Sequence, residues 1–188
     1  MATEISNSDD IIDSRDVIAR IGELESDFET LTEAVDEARE ELMEAREAVD
    51  DAQSDLDADL GADDDREEAI VEASNLIERR YDAVKEAEAS LATAEKDLAE
   101  WGGEEELKVL KAFANEAEGY SDWDYGETLI RESYFVEYAQ ELAEDCGDYN
   151  SRDVKWPYTC IDWEQAAQEL LDDYASIEFD NITYYLRA

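Results

Sequence analysis

The chain contains no histidine, which excludes an imidazole general base, a His-bearing catalytic triad and a His-rich metal site. Two cysteines, Cys146 and Cys160, are too few for a four-thiolate zinc site or a disulfide framework. Free thiols in a reducing compartment are the expected state, with a structural disulfide as the alternative. Cations are scarce: fifteen Lys and Arg face fifty-six Asp and Glu, a formal charge of −41 over 188 residues. No run approaches the roughly 20 apolar residues of a membrane span. The opening MATEISNSDD has neither the positive flank nor the apolar stretch of a signal peptide. The expectation is a soluble cytoplasmic protein.

What is present is apolar content that acidic tails lack. At 44% hydrophobic and 10% aromatic residues, the chain has the material for a core, so the charge belongs on the outside of an ordered structure. An anionic surface of this density repels nucleic acid and membranes. It attracts proteins built to hold nucleic acid, because its field recruits cationic clefts from a distance.

Only Phe28 and Tyr81 of the eighteen aromatic residues precede residue 101, so a long helical half precedes a compact half. Val17, Ile21, Leu24, Phe28, Leu31, Val35, Ala38, Leu42, Ala45, Val49, Ala52 and Leu56 follow at spacings of four and three, a coiled-coil seam. A second seam runs through Ile70, Ala73, Ile77, Arg80, Val84, Ala87, Leu91, Ala94 and Leu98. Its one charged member, Arg80, either pairs across the interface or marks where the packing loosens. Gly61 and the run Asp63, Asp64 and Asp65 between the seams suit a helix end followed by a helix start. The reading is an antiparallel hairpin over residues 1–100 turning near 60–65, with residues 14 to 59 (~69 Å) overhanging residues 66 to 100 (~52 Å). The overhang, residues 14 to 24, is expected to pack against the C-terminal half and leave the tip near Gly61 in solvent. On this register Leu56 lies near Ile70 and Val35 near Leu91. The alternative is one continuous helix in a parallel dimer.

Trp101-Gly102-Gly103 marks the boundary to a compact module over residues 101–188. Its expected elements are a short helix over 104 to 118, a longer one over 128 to 145 stopped by Gly147, and a third starting at Asp162 with a capping-box pattern to Gln165. A hairpin follows, with Asp180-Asn181 in its tight turn. Trp163 is expected in the core. The fold class is α-rich α+β: a long antiparallel coiled-coil hairpin, then a small helical module closed by a C-terminal β-hairpin.

Residues 14 to 100 hold 30 acidic and 9 basic residues, about one excess charge per 3.3 Å of a ~70 Å rod; duplex DNA carries one per about 1.7 Å. Coiled coils usually balance Glu with Lys, whereas here Glu40, Glu41, Glu44, Glu47, Asp50 and Asp51 are relieved only by Arg46. A functional reason for that repulsion is imitation of a phosphate backbone. In the second half Glu137, Glu141, Glu144, Asp145 and Asp148 recur at helical spacing along one side. These eleven carboxylates are the candidate partner-binding residues. Without a nucleophile-base arrangement, a Gly-rich phosphate loop or a calcium-loop pattern, no enzymatic activity, metal or cofactor is expected.

Several C-terminal stretches are similar in order and residue type to one family: Tyr134-Phe135-Val136-Glu137-Tyr138-Ala139-Gln140-Glu141-Leu142-Ala143, Trp156-Pro157, Ile161-Asp162-Trp163-Glu164-Gln165-Ala166-Ala167-Gln168-Glu169-Leu170, Asp173-Tyr174 and the closing Tyr184-Tyr185-Leu186-Arg187. Over about 60 residues they resemble the C-terminal module of ArdA-type antirestriction proteins. The segment from Asp10 to Ile18 is also similar to the opening of small hypothetical bacteriophage proteins. The resemblance implies an elongated acidic protein, with a homodimer as one option, that imitates DNA and blocks type I restriction-modification enzymes. The earlier modules of that family are replaced here by the helical hairpin. The expected role is a phage or mobile-element DNA mimic occupying the DNA-binding cleft of a host defence protein, with no direct contact to nucleic acid or membrane. Two other readings stay open: acidic adaptation to high salt, and a structural or adaptor coiled coil.

Overall fold

The structure, a computed structural model, describes residues 5–59, 66–120, 122–147, 149, 150, 152 and 154–188. It is an α-rich α+β fold with a long helical hairpin and a C-terminal β-hairpin that closes a four-stranded sheet. The chain divides into two compact units: Ser26–Gly102, and the chain up to Glu25 together with Gly103–Ala188.

The hairpin unit is built from helix α1 (Ser14–Asp59) beyond Ser26 and helix α2 (Arg66–Glu100). Seam residues Val35, Ala38, Val49 and Ala52 of α1 are buried, and Ala87 is the buried residue of the α2 seam. Ala73, Ile77, Val84, Leu91, Ala94 and Leu98 are half-buried, whereas every α2 residue off the seam from Val71 onward is exposed. Phe28 departs from the pattern, 44% exposed, with its ring 5.3 Å from that of Trp101.

Two cross-helix ion pairs set the register: Arg39 to Glu95 at 3.2 Å and Arg46 to Glu88 at 3.0 Å. They place Val35 opposite Leu98 and Leu56 opposite Ile77, one heptad from the pairing the sequence suggested. Ala38 and Ala94 line one hollow of the interface and Ala45 and Ala87 another, which agrees with that register. Ile70 and Val71, at the start of α2, are exposed. Arg80 is exposed too, so the seam opens there. The expected turn near Gly61 lies outside the described residues. In a background lacking Cys146 and Cys160, Ala45→Cys with Ala87→Cys should oxidise to an intramolecular disulfide visible as faster gel migration. The pair Val35→Cys with Leu91→Cys should crosslink far less.

The second unit is three-layered. Strands β1 (Ile11–Asp13), β2 (Thr128–Arg131), β3 (Tyr174–Phe179) and β4 (Ile182–Arg187) form an antiparallel sheet in the order β1-β2-β4-β3. Helix α3 (Glu104–Ala117) covers one face through Phe113. That ring stacks on Phe179 at 4.7 Å and meets Trp123 and Tyr184 edge-on at 6.2 and 6.1 Å. Helices α5 (Phe135–Asp145) and α6 (Trp163–Leu170) cover the other face through Phe135, Ala139 and Ala167, packed with Ile130. A single turn, α4 (Trp123–Gly126), precedes β2.

The first turns of α1 belong to this unit. Val17 and Leu24 are buried, and Arg20 makes a two-point bond to Glu106 at 2.7 and 2.9 Å. Ser14, fully buried, donates its Oγ hydrogen to the Trp123 carbonyl (2.6 Å) and accepts from the Glu127 amide (2.8 Å). Gly126 has φ +108, and a Cβ there would lie 2.7 Å from the Arg15 Nε. Gly126→Ala should therefore destabilise this unit by about 1–3 kcal/mol, the range for a backbone forced out of its allowed region, read from thermal unfolding.

Three expectations change. Residues 128 to 145 are not one helix: β2, a 3₁₀ turn (Glu132–Tyr134) and α5 share the stretch. Leu129 and Ile130 are consecutive and both fully buried, which a strand between two helical layers achieves and a one-sided helix does not. Trp163 is half-buried against Tyr149 rather than in the core; the buried tryptophan is Trp123, 4% exposed. Asp162 accepts from the Gln165 amide at 3.1 Å, but the Gln165 side chain donates forward to Glu169, so the capping box is half made. The hairpin turn agrees with its residues, since Asp180 and Asn181 have φ of +45 and +64.

Burial pushes the Tyr184 phenol up to about 12, and its hydroxyl donates to the Asp9 carbonyl at 2.6 Å. A pKa raised by folding contributes stability that is present below the unfolded value near 10 and lost as pH rises through 12. Alkaline unfolding of the sheet unit should fall in that window, with phenolate absorbance and loss of β-signal in step. Tyr174 is pushed up for the same reason, burial first and then its hydrogen bond to Tyr138.

Candidate functional site: the acidic face of the helical hairpin

Helical geometry sorts the α1 side chains of residues 29–57 into seam, flanks and outer face. The outer face has thirteen positions, of which ten are acidic: Glu29, Glu33, Asp36, Glu37, Glu40, Glu44, Glu47, Asp50, Asp51 and Asp57. The other three are Thr30, Met43 and Ser54, so no cation interrupts the face. All ten carboxylate residues are exposed. Both α1 arginines of this unit sit on the flank toward α2, where Glu95 and Glu88 engage them, and Arg39 also approaches Asp36 at 3.5 Å.

Over the same heptads the outer face of α2 is different. Between residues 71 and 100 it holds five acids, Glu72, Glu78, Asp82, Glu86 and Glu100, and three bases, Arg79, Lys85 and Lys96. Lys85 pairs with Asp82 at 3.0 Å and Lys96 with Glu100 at 3.8 Å. The hairpin is thus two-sided, with a continuous anionic face on α1 and a near-balanced one on α2.

The structure brings Glu40, Glu44, Glu47, Asp50 and Asp51 together on the α1 face, all exposed. Glu41 is a flank residue, lining the shallow hollow with Ala38, Ser90 and Ala94, a hollow that Glu37 also borders. The six-residue set leaves out Glu29, Glu33, Asp36, Glu37 and Asp57, although the heptad period that gave the seam also places them on this face. Each heptad rises about 10.5 Å and presents two or three carboxylates. One DNA strand presents three phosphates over about 10.2 Å.

The second carboxylate group lies in the sheet unit. Glu137, Glu141, Glu144 and Asp145 are exposed on α5, and Asp148 falls outside the described residues. The Tyr134 hydroxyl is hydrogen-bonded to Glu141, which pushes the phenol pKa upward. Cys146 and Cys160 are free and exposed. Charge is spread evenly between the units: 27 acidic against 7 basic residues in the hairpin unit, 29 against 8 in the sheet unit. Among the described residues no group of His, Cys, Asp or Glu is arranged to hold a metal ion, and no helix is long and apolar enough to cross a membrane. Comparison with protein-family models, with curated proteins and with solved structures gave no match.

Proposed function

We propose that the protein is a non-catalytic DNA mimic that occupies the DNA-binding cleft of a host defence protein, a restriction-modification enzyme being the first candidate. The observation that carries this reading is the outer face of α1, where carboxylates repeat close to the phosphate spacing of one strand and no position is cationic; Arg39 and Arg46 lie on the flank and reach Glu95 and Glu88 of α2, Arg39 also approaching Asp36. A helix that carried charge only for solubility would gain from interspersed Lys. The outer face of α2, with five acids to three bases against ten to none on α1, argues against an acid excess applied uniformly along the hairpin for hydration.

The test is competition. A purified type I restriction-modification enzyme, titrated with labelled duplex DNA, should release the DNA as this protein is added. Affinity should fall steeply with salt, as when a cationic cleft exchanges counter-ions for a polyanion. A complex that holds DNA and this protein together would replace the mimic by the adaptor reading. Unfolding in dilute buffer at about 0.1 M salt would favour adaptation to high salt.

A further inference from the structure

We infer that residues 155–161 form an apolar anchor that the DNA-binding partner receives in a pocket of its own surface, an inference that rests on the mimic reading. Every residue from Lys155 to Asp162 is exposed, with Trp156 at 81%, Tyr158 at 48% and Ile161 at 36%. The segment holds its shape through its own backbone: the Tyr158 amide donates to the Lys155 carbonyl at 2.8 Å, Cys160 to Pro157 at 2.9 Å and Ile161 to Tyr158 at 3.3 Å. Its main chain is therefore held in turns, which lowers the backbone ordering cost of binding. Trp and Tyr are enriched among the residues that dominate interface affinity. From Lys155 to Ile161 this otherwise acidic chain has no carboxylate.

Charge identifies the occupant. Each compact unit carries an excess of about twenty negative charges, so a second copy of the chain, a nucleic acid and an anionic membrane are all repelled. A basic protein is drawn in. The carboxylates then govern how fast the partner arrives, and the aromatic segment governs how long it stays.

The test measures association and dissociation separately against a purified type I restriction-modification enzyme, at several salt concentrations. Trp156→Ala with Tyr158→Ala should raise koff at least about ten-fold, the scale of a hot-spot aromatic, with kon, its salt dependence and the melting temperature unchanged. Trp156→Phe should retain most of the residence time. A second measurement needs no substitution: Trp156 is the most exposed of the four tryptophans, so complex formation should remove a large share of acrylamide quenching. If koff and quenching stay unchanged while the parent still displaces DNA, the anchor is wrong and the mimic reading stands. If the parent does not bind the enzyme, or binds beside DNA, both fall.

Discussion

Replacing Glu40, Glu44, Glu47, Asp50 and Asp51 together by Gln or Asn is expected to slow association with a DNA-binding enzyme about 10- to 10³-fold, the range over which electrostatic steering acts. The plot of log affinity against log salt should flatten as well, because fewer ions exchange on binding. These residues are exposed on one face, and no cation on that face screens them, so removing their charge deletes field without deleting packing. Helicity should hold or rise, since like charges three and four residues apart repel. Two controls sharpen the result. Glu72, Glu78 and Glu86 on the α2 face should matter less when neutralised, because that face also carries Arg79, Lys85 and Lys96 and so presents a weaker field. Neutralising Glu137, Glu141, Glu144 and Asp145 tells whether α5 shares the contact. A hairpin whose α1 face tolerates neutralisation with unchanged kon is not a DNA mimic.

Phe113→Ala should cost about 3–5 kcal/mol, the usual range for a large aromatic removed from a close-packed core. The side chain is 1% exposed and its ring touches Trp123, Phe179 and Tyr184. Its loss would leave a cavity between α3 and the sheet that none of those three rings can fill without leaving its own contacts. Trp163→Ala should cost clearly less, because that residue is only half-buried, with its ring against Tyr149. Chemical denaturation of the two variants side by side decides the matter: equal losses, or a larger loss at Trp163, would contradict the core described here. The Arg20–Glu106 pair adds a pH-dependent contribution. Its hydrogen bond to Arg20 holds the Glu106 carboxyl below its usual range, so this stabilisation is present above the unfolded value and fades as pH falls through the lowered one.

The long helices were legible because their signal is local and repeated. Twelve seam positions in one arm and nine in the other outweigh any single residue, and no proline intervenes, so both helices end where the periodicity does. The terminal hairpin was legible for a similar reason: Asp180-Asn181 tolerates the left-handed conformations a tight turn needs. The register between the arms was not, because a seven-residue repeat pairs almost as well when shifted by seven. The register adopted is seen in the flank pairs Arg39–Glu95 and Arg46–Glu88.

The sequence by itself therefore determined the two helical arms, the α-rich α+β class, the closing β-hairpin and the excess of surface acid, all properties that follow from local pattern or composition. Tertiary structure alone decided that Thr128–Arg131 is a strand, since Leu129 and Ile130 stay buried on opposite faces only when β1 and β4 pair beside them and helices cover both sides. The docking of the first turns of α1 on the sheet unit was expected from the overhang of the longer helix, but the contacts that make it, Ser14 with Trp123 and Arg20 with Glu106, were decided only by tertiary structure. The reach of Arg39 and Arg46 across to Glu95 and Glu88 of α2 was settled there too. Strand pairing, helix register and the direction of a long charged side chain depend on residues far away in the chain, and a periodic pattern does not encode which distant partner will be opposite.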